Sequence, residues 1–397
     1  MLRMLTAGES HGPELTAILE GMPAGLPLTE NDLQDDLARR QKGYGRGGRM
    51  SIEKDRARFT AGVMGSQTTG GPIALTITNR DWKNWRDRQI DPFTVPRPGH
   101  ADLTGAVKYG YRDLRLSLER ASARETAARV AVGGVCRRLL AEFGITIGSY
   151  VTMIGGETAE LDVPSSDEVY QARFASAELS EVRCPAPAAS ERMRARIKRA
   201  FQSKDTLGGV FEVVMLGVPP GLGSHVHFDR KLDGILLGAL GSIPSIKGVE
   251  IGPAFENAAR QGTEVHDAIH RDEQGRLYRA TNRAGGLEGG ITTGEPIIIR
   301  AAMKPISTTI NPIQSVDLAT GEPAQTVYER SDHCAVPRAA VVGEALAAFV
   351  LADALLIKLG GDSLAELKAR FADLRRSHIA DLPMDNQPWT FGFQDEN

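Results

Sequence analysis

The stretch RRQKGYGRGGRM, residues 39–50, carries Arg39, Arg40, Lys42, Arg46 and Arg49 among Gly43, Gly45, Gly47 and Gly48, with no carboxylate. Guanidinium forks grip phosphate or carboxylate oxygens through paired hydrogen bonds. Glycines let the backbone come close to a ligand. The combination points to an anion site. A second cationic nest lies in LERASARETAARV, where Arg120 and Arg124 flank a helix start marked by Ser122-x-x-Glu125. Free backbone N–H groups at such a start attract anions. KPISTTI, residues 304–310, adds Lys304 beside Ser307 and Thr308. Separate nests imply a ligand with several anionic groups, or two ligands. His11 in GESHG and His100 in PRPGHAD sit in glycine-flanked turns, and imidazole titrates where proton transfer at neutral pH is easiest. Asp332, in ERSDHCAVPR, precedes a long apolar run.

Several chemistries are set aside. Gly43, Gly45 and Gly48 spell GxGxxG, but after a helical pattern rather than a strand, so a dinucleotide fold is not indicated. Ser10 beside His11 lacks the GxSxG turn of hydrolases. His225 and His227 alternate on an expected strand, and His266 and His270 are four apart; neither pair has an evident third ligand, so no metal is expected. Three scattered cysteines make neither a disulfide framework nor a zinc site. With 47 basic and 50 acidic residues the net charge is -3. Glycine-arginine sequence also occurs in RNA-binding segments, but this balance favours a small anion over a nucleic acid. The run at residues 339–359 has the length of a membrane span. Glu344, Asp353 and Lys358 fall inside it, and their cost there predicts a buried helix and no membrane association. The first residues lack the apolar core of a signal peptide, which makes the cytoplasm the expected location.

These residues need elements to hold them. LTENDLQDDLARR predicts a helix from near Glu30, with Thr29 and Asp32 at its start, delivering Arg39 and Arg40 in its last turn before Gly43 ends it. GVMGSQTTGGPIALTI (62–77) aligns without gaps on GLEGGITTGEPIIIRA (286–301). Each copy leads to an apolar helix, near 123–143 and 339–359. This predicts an internally duplicated α+β chain, a single domain over 1–397 with pseudo-repeated halves of about 1–150 and 208–380 and a ligand cleft between them. The helices, apolar on nearly all sides, should lie buried between antiparallel sheets. Residues 157–181 read as surface structure, 190–204 as an exposed basic helix, and the tail beyond Leu382 as loose.

Taken together, GESHG, RRQ-x-GYGRGGRM, RPGHAD, SARETAARVA, IKGVEIG, GG-x-x-GGITTG, KP-x-ST and RSD-x-CAVPR make the chain resemble the chorismate synthase family along nearly its full length. The resemblance implies a β-α-β sandwich and a homotetramer. It implies an anti 1,4-elimination of phosphate from 5-enolpyruvylshikimate 3-phosphate to give chorismate, with reduced FMN required and no net redox change. By the same resemblance His11 stands near the leaving phosphate, His100 protonates reduced flavin, and Asp332 helps remove the substrate proton. Ser10, Arg40, Arg46, Arg49 and Arg124 match substrate positions, with Arg40 and Arg46 alternatively facing a nicotinamide dinucleotide phosphate. Arg120, Ala121, Ser122, Pro244, Ser245, Gly289, Lys304, Pro305, Ile306, Ser307, Thr308 and Arg330 match flavin-contacting segments. Pro244, Ser245 and His333 occupy positions where members differ. No insertion marks an intrinsic flavin reductase, so an external reductase is the expected partner, with NADPH as an indirect reductant.

Overall fold

Alternating burial along the strands builds two antiparallel sheets. The computed structural model describes residues 1–46, 54–164, 166–329, 331–389 and 392; Arg49 and Arg330 lie outside the described residues. The first sheet has the order β1 (Arg3–Ala7), β2 (Glu14–Glu20), β6 (Ile73–Thr78), β3 (Ala57–Ala61), and the hairpin of β4 (Val63–Met64) and β5 (Gln67–Thr68) joins its last two strands in sequence. In β6, Ile73, Leu75 and Ile77 are buried while their neighbours are less so, the period of two that a strand imposes. The second sheet has the order β10 (Ile246–Ile251), β15 (Ile297–Met303), β9 (Gly209–Leu216), β7 (Thr146–Ile154), β8 (Glu157–Thr158). Two-stranded ribbons complete the strands: β11 (Ile269–Arg271) with β12 (Leu277–Arg279), β13 (Leu287–Glu288) with β14 (Ile291–Thr292), and β16 (Gln314–Val316) with β17 (Pro323–Gln325).

Helix α1 (Asn31–Gln41) runs where the capping residues place it, and Thr29 donates from both its backbone N–H and its hydroxyl to Asp32. Next come α2 (Asp102–Tyr109), α3 (Arg115–Ala121) and α4 (Thr126–Ala141), then α5 (Asp167–Leu179), α6 (Pro187–Gln202), α7 (Leu232–Gly241), α8 (Ala254–Asn257), α9 (Gly262–Val265), α10 (Val336–Leu359) and α11 (Leu364–Ala372). The two apolar helices α4 and α10 pack on each other, α4 also against β1, β2 and β6, and α10 against β7 and β9. They approach closely because Gly133 faces Ala345: a Cβ there would lie 2.3 Å from the Ala345 Cβ. Among the described residues α10 alone is long and apolar enough to cross a membrane, and 78% of its most apolar window is buried inside the protein.

The two aligned TTG segments make the same local structure. Thr68 donates its hydroxyl to the Pro23 carbonyl (2.6 Å) and accepts from the Leu26 N–H (3.0 Å). Thr292 does the same with Pro219 (2.7 Å) and Leu222 (2.9 Å). In each case a short ribbon precedes a long strand, β6 in one and β15 in the other.

Three local expectations change. Ser122 does cap, accepting from the Arg124 N–H, but Glu125 turns away to Thr6 and Arg129, and a 3-10 turn over Ala123–Glu125 separates it from α4. The basic helix α6 is half sunk, with Ala189, Met193, Ile197 and Ala200 buried; arginines spaced around an apolar stripe hid that face. His225 and His227 are not in a strand, and His266 caps the end of α9 while His270 lies in β11, so neither pair sits on the one regular element its spacing suggested. Among the described residues no three potential metal ligands come together.

One charge in the core stands out. Glu344, fully buried on α10, accepts from Arg39 (2.7 and 2.8 Å), Arg137 (2.5 Å), Arg183 (3.2 Å) and the Ser149 hydroxyl (2.5 Å). Burial would raise its pKa, but the three guanidiniums prevail and hold it at about 2. Because the folded carboxyl titrates below its usual 4.5, its contribution is complete above that pH and is lost as pH falls toward 2. We therefore expect acid unfolding to sharpen over that window. Glu344→Gln should cost about 3–5 kcal/mol in a urea titration at neutral pH, the penalty for stranding buried cations; a cost under about 1 kcal/mol would show the cluster to be open to water.

Candidate active site

Loops from both halves of the sequence meet over the N-terminal ends of α4 and α10 and enclose a cavity of about 820 Å³. Arg40 reaches it from the last turn of α1, Ser10 and His11 from the loop after β1, and Ala121 to Arg124 from the turn between α3 and α4. Pro244 and Ser245 come from the link between α7 and β10, and Lys304, Ile306, Ser307 and Thr308 from the segment after β15. Asp332 comes from the loop before α10. His100 enters just ahead of α2. Residues separated by more than 300 positions thus share one space.

The anion-binding side is held from behind. Arg40 donates from Nε to the Thr126 hydroxyl (3.0 Å), from Nη2 to the Ala123 carbonyl (3.0 Å) and from Nη1 to Asp55 (3.1 Å). Arg124 donates from Nη1 to the other oxygen of Asp55 (2.6 Å) and from Nε to Asn79 Oδ1 (2.7 Å). Asn79 in turn donates to the Gly12 carbonyl (2.7 Å), fastening the loop that carries Ser10 and His11.

Each histidine has a carboxylate on Nδ1. His11 meets Glu119 at 2.8 Å, and its backbone N–H donates to the same carboxylate at 2.7 Å. The ring also packs on Trp85, with centroids 4.1 Å apart. Burial of Glu119 would raise its pKa; the bonds from His11 outweigh that and lower it. His100 meets Asp102 at 2.5 Å, and Asp102 also receives the Arg97 fork at 2.7 and 2.9 Å. Asp102 has no exposed surface. Despite that burial, Arg97 and His100 hold its carboxyl well below the usual range. The remaining Arg97 nitrogen donates to the Thr308 hydroxyl (3.0 Å), tying this group to the far wall.

That wall carries Lys304, whose ammonium donates to the Gly99 carbonyl (3.0 Å). Burial and the nearby Lys247 depress its pKa. Asp332 pairs with Arg338, in the first turn of α10. Burial, with Arg40 and Arg46 close by, presses the Arg338 guanidinium down to about 9, still charged at neutral pH. Apolar surface comes from Leu118, Ile243, Ile246, Met303 and Val342.

Not every expected residue reaches this space. Arg46 instead lines a neighbouring cavity of about 400 Å³ with Tyr44, Lys198, Phe201 and Tyr328, and Ser331 borders both. Arg120 turns back along β1, donating to Thr6 and Gly8 carbonyls. Gly289 sits in the tight turn between β13 and β14, at φ 59°, beside His225. Pro305 does not line the cavity that its neighbours Lys304 and Ile306 line. Conversely, Trp85, Arg97, Asp102, Asp55, Glu119 and Arg338 belong to the arrangement without having been singled out from the sequence. RPGHAD did contain a signal: arginine, histidine and aspartate within six residues of a turn can close on one another. Asp55 and Glu119 carried none.

Comparison with known proteins decides the family. The chorismate synthase family model matches residues 2–356. The chain belongs to the chorismate synthase family. It is 55% identical over 385 residues to chorismate synthase of Aquifex aeolicus, covering 94% of this chain and 97% of that one. It is 56% identical over 379 residues to that of Desulforamulus reducens, covering 93% and 97%. A crystal structure of a chorismate synthase superposes with a TM-score of 0.79 at 49% identity, over 94% of this chain and 96% of the other.

The closed Arg97–Asp102–His100 group generates a prediction. Asp102→Asn leaves Arg97 buried beside a neutral amide, and stability in a urea titration should fall by about 3–5 kcal/mol. A variant as stable as the parent would show that Arg97 finds water or another acceptor.

Proposed function

We propose that this cavity is where the chain carries out its family's reaction. The enzyme is a lyase that removes phosphate from 5-enolpyruvylshikimate 3-phosphate to form chorismate. One C–O bond to the leaving phosphate and one ring C–H bond break, and a second ring double bond forms. The observation that carries the site assignment is the convergence of Arg40, Arg97, Arg124, Lys304 and Arg338 around a space that also holds two carboxylate-backed histidines. A substrate with one phosphate and two carboxylates needs such a set, and preorganised cations are worth most where charge builds on a departing group.

The residues also suit FMN. The cavity volume lies toward the upper end of ligand sites, enough for a ring system beside a second anion. Lys304, Ser307 and Thr308 offer phosphate-type donors next to the apolar surface of Ile243, Ile246, Met303 and Ile306, the mixture a flat ring with a charged tail requires. Reduced FMN, when bound, supplies an electron as phosphate leaves and regains it as the ring proton is lost, leaving no net redox change. Arg40 and Arg124 hold substrate anions. His11, locked by Glu119, faces the leaving phosphate. His100, backed by Asp102, would hold a proton beside the bound flavin, and Asp332, paired with Arg338, would help take up the proton that the substrate ring loses. Ser10 supports the substrate, while Ala121, Ser122, Pro244, Ser245 and Ile306 border the flavin.

We extend the proposal to further features of the family. The two similar TTG ribbons, each feeding a long strand, support an internal duplication with halves of about 1–150 and 208–380, stacked as a β-α-β sandwich. The working form is a homotetramer in the cytoplasm. Arg46 lies outside the main cavity, and FMN arrives reduced by an external reductase that draws on NADPH.

Anaerobic assay with dithionite-reduced FMN should give equal amounts of chorismate and phosphate. NADPH plus oxidised FMN should give none until a flavin reductase is added. FMN binding without phosphate release would leave only a flavin-binding protein. In the same assay His11→Ala should lower kcat by about 100-fold or more, the usual share of a positioned acid or hydrogen-bond donor, with a smaller change in KM. Normal turnover would make His11 structural.

A further inference from the structure

Asp55 does not line the cavity, yet it governs two of the side chains that do. Arg40 comes from the end of α1 and Arg124 from the turn before α4, and both are almost fully buried. Two guanidiniums brought together out of water repel each other strongly. Between them stands the Asp55 carboxylate, with no exposed side-chain surface and one oxygen on each: Oδ1 at 2.6 Å from Arg124 and Oδ2 at 3.1 Å from Arg40. Asp55 is itself pinned. Its backbone N–H donates to the Gln41 side chain (3.1 Å), and its carbonyl accepts from the Gln34 side chain (3.1 Å), both on α1.

A carboxylate so placed neither touches substrate nor carries protons for it. It offsets one of two positive charges and fixes the angle and separation of the two forks. We propose that Asp55 is the positioning residue of the anion pocket: by bridging Arg40 and Arg124 it presets the spacing at which they receive an anionic group of the substrate. This rests on the assignment of both arginines to the substrate site. It makes a demand that simple attraction does not. Removing a negative charge leaves the pocket more cationic, which by itself would tighten anion binding. Loss of preset geometry weakens it instead.

The test is steady-state kinetics of the full chain with 5-enolpyruvylshikimate 3-phosphate and reduced FMN. Asp55→Asn, nearly isosteric, should raise KM by about tenfold to a hundredfold, the worth of a charged hydrogen-bond arrangement, with kcat changed less. Product inhibition by inorganic phosphate should weaken in parallel. Thr126→Val releases the Arg40 Nε contact without altering formal charge, and should raise KM in the same direction by a smaller factor. In a double-mutant cycle with Arg124→Lys, the Asp55→Asn effect should largely vanish, because both changes spoil one arrangement. An unchanged or lowered KM in folded Asp55→Asn overturns the proposal. If that variant fails to fold, an unchanged KM in Thr126→Val overturns it. The site assignment fails separately, if Arg124→Ala leaves KM untouched.

Discussion

A guanidinium taken out of water needs a carboxylate, and this fold is arranged around meeting that need. Glu344, Asp55 and Asp102 are each buried and each accepts from two or more partners; those of Glu344 and Asp55 lie far apart in sequence, while Asp102 gathers Arg97 and His100 from one loop. Consecutive residues on α1 serve two of these centres. Side chains one position apart on a helix diverge by about 100°, so Arg39 turns into the core toward Glu344 while Arg40 turns to Asp55 at the cavity. The last turn of α1 is therefore fixed on both sides, and the core network holds the helix that presents a site residue. Such buried pairs add less net stability than their short distances suggest, because desolvation offsets the attraction. What they supply is definition: few other arrangements satisfy every charge.

The two apolar helices do the complementary task. Their mutual packing, permitted by Gly133 against Ala345, places the starts of α4 and α10 side by side beneath the cavity. Arg124, Thr126, Arg338, Ala339 and Val342 all come from these two starts. Strand-end loops supply the rest, with Lys304 to Thr308 leaving β15 and Ser10 with His11 leaving β1. Groups mounted on rigid ends keep their geometry before a ligand arrives, so little reorganisation remains when charge develops.

Periodicity and caps made the framework legible. Thr29, Asp32 and Gly43 bracket α1, and the apolar runs mark α10 within a few residues. The paired TTG segments announced two copies of a local design, which the shared threonine bonds reproduce. That glycine-rich and basic motifs converge was legible too, since Arg40, Arg124, His11, His100 and Lys304 line one cavity. Acids that act only through another residue were not. Asp55 and Glu119 lie in ordinary stretches, and their meaning comes from partners 69 and 108 positions away. The same limit explains Arg120 and Gly289: spacing gives no sign that one side chain turns back along β1 or that the other stands in a remote turn.

The two cavity histidines cannot be interchangeable. Glu119 spends both oxygens on His11, one on the ring and one on its backbone, so the loop and the imidazole move together. Trp85 closes the face of that ring. Asp102 instead divides its charge between His100 and Arg97, and Arg97 reaches across to Thr308 on the Lys304 segment. A shift of that segment would thus be felt at His100 through charge-assisted bonds. His11 is thus bound to a fixed loop. His100 instead is tied, through Asp102 and Arg97, to the wall formed by Lys304, Ser307 and Thr308.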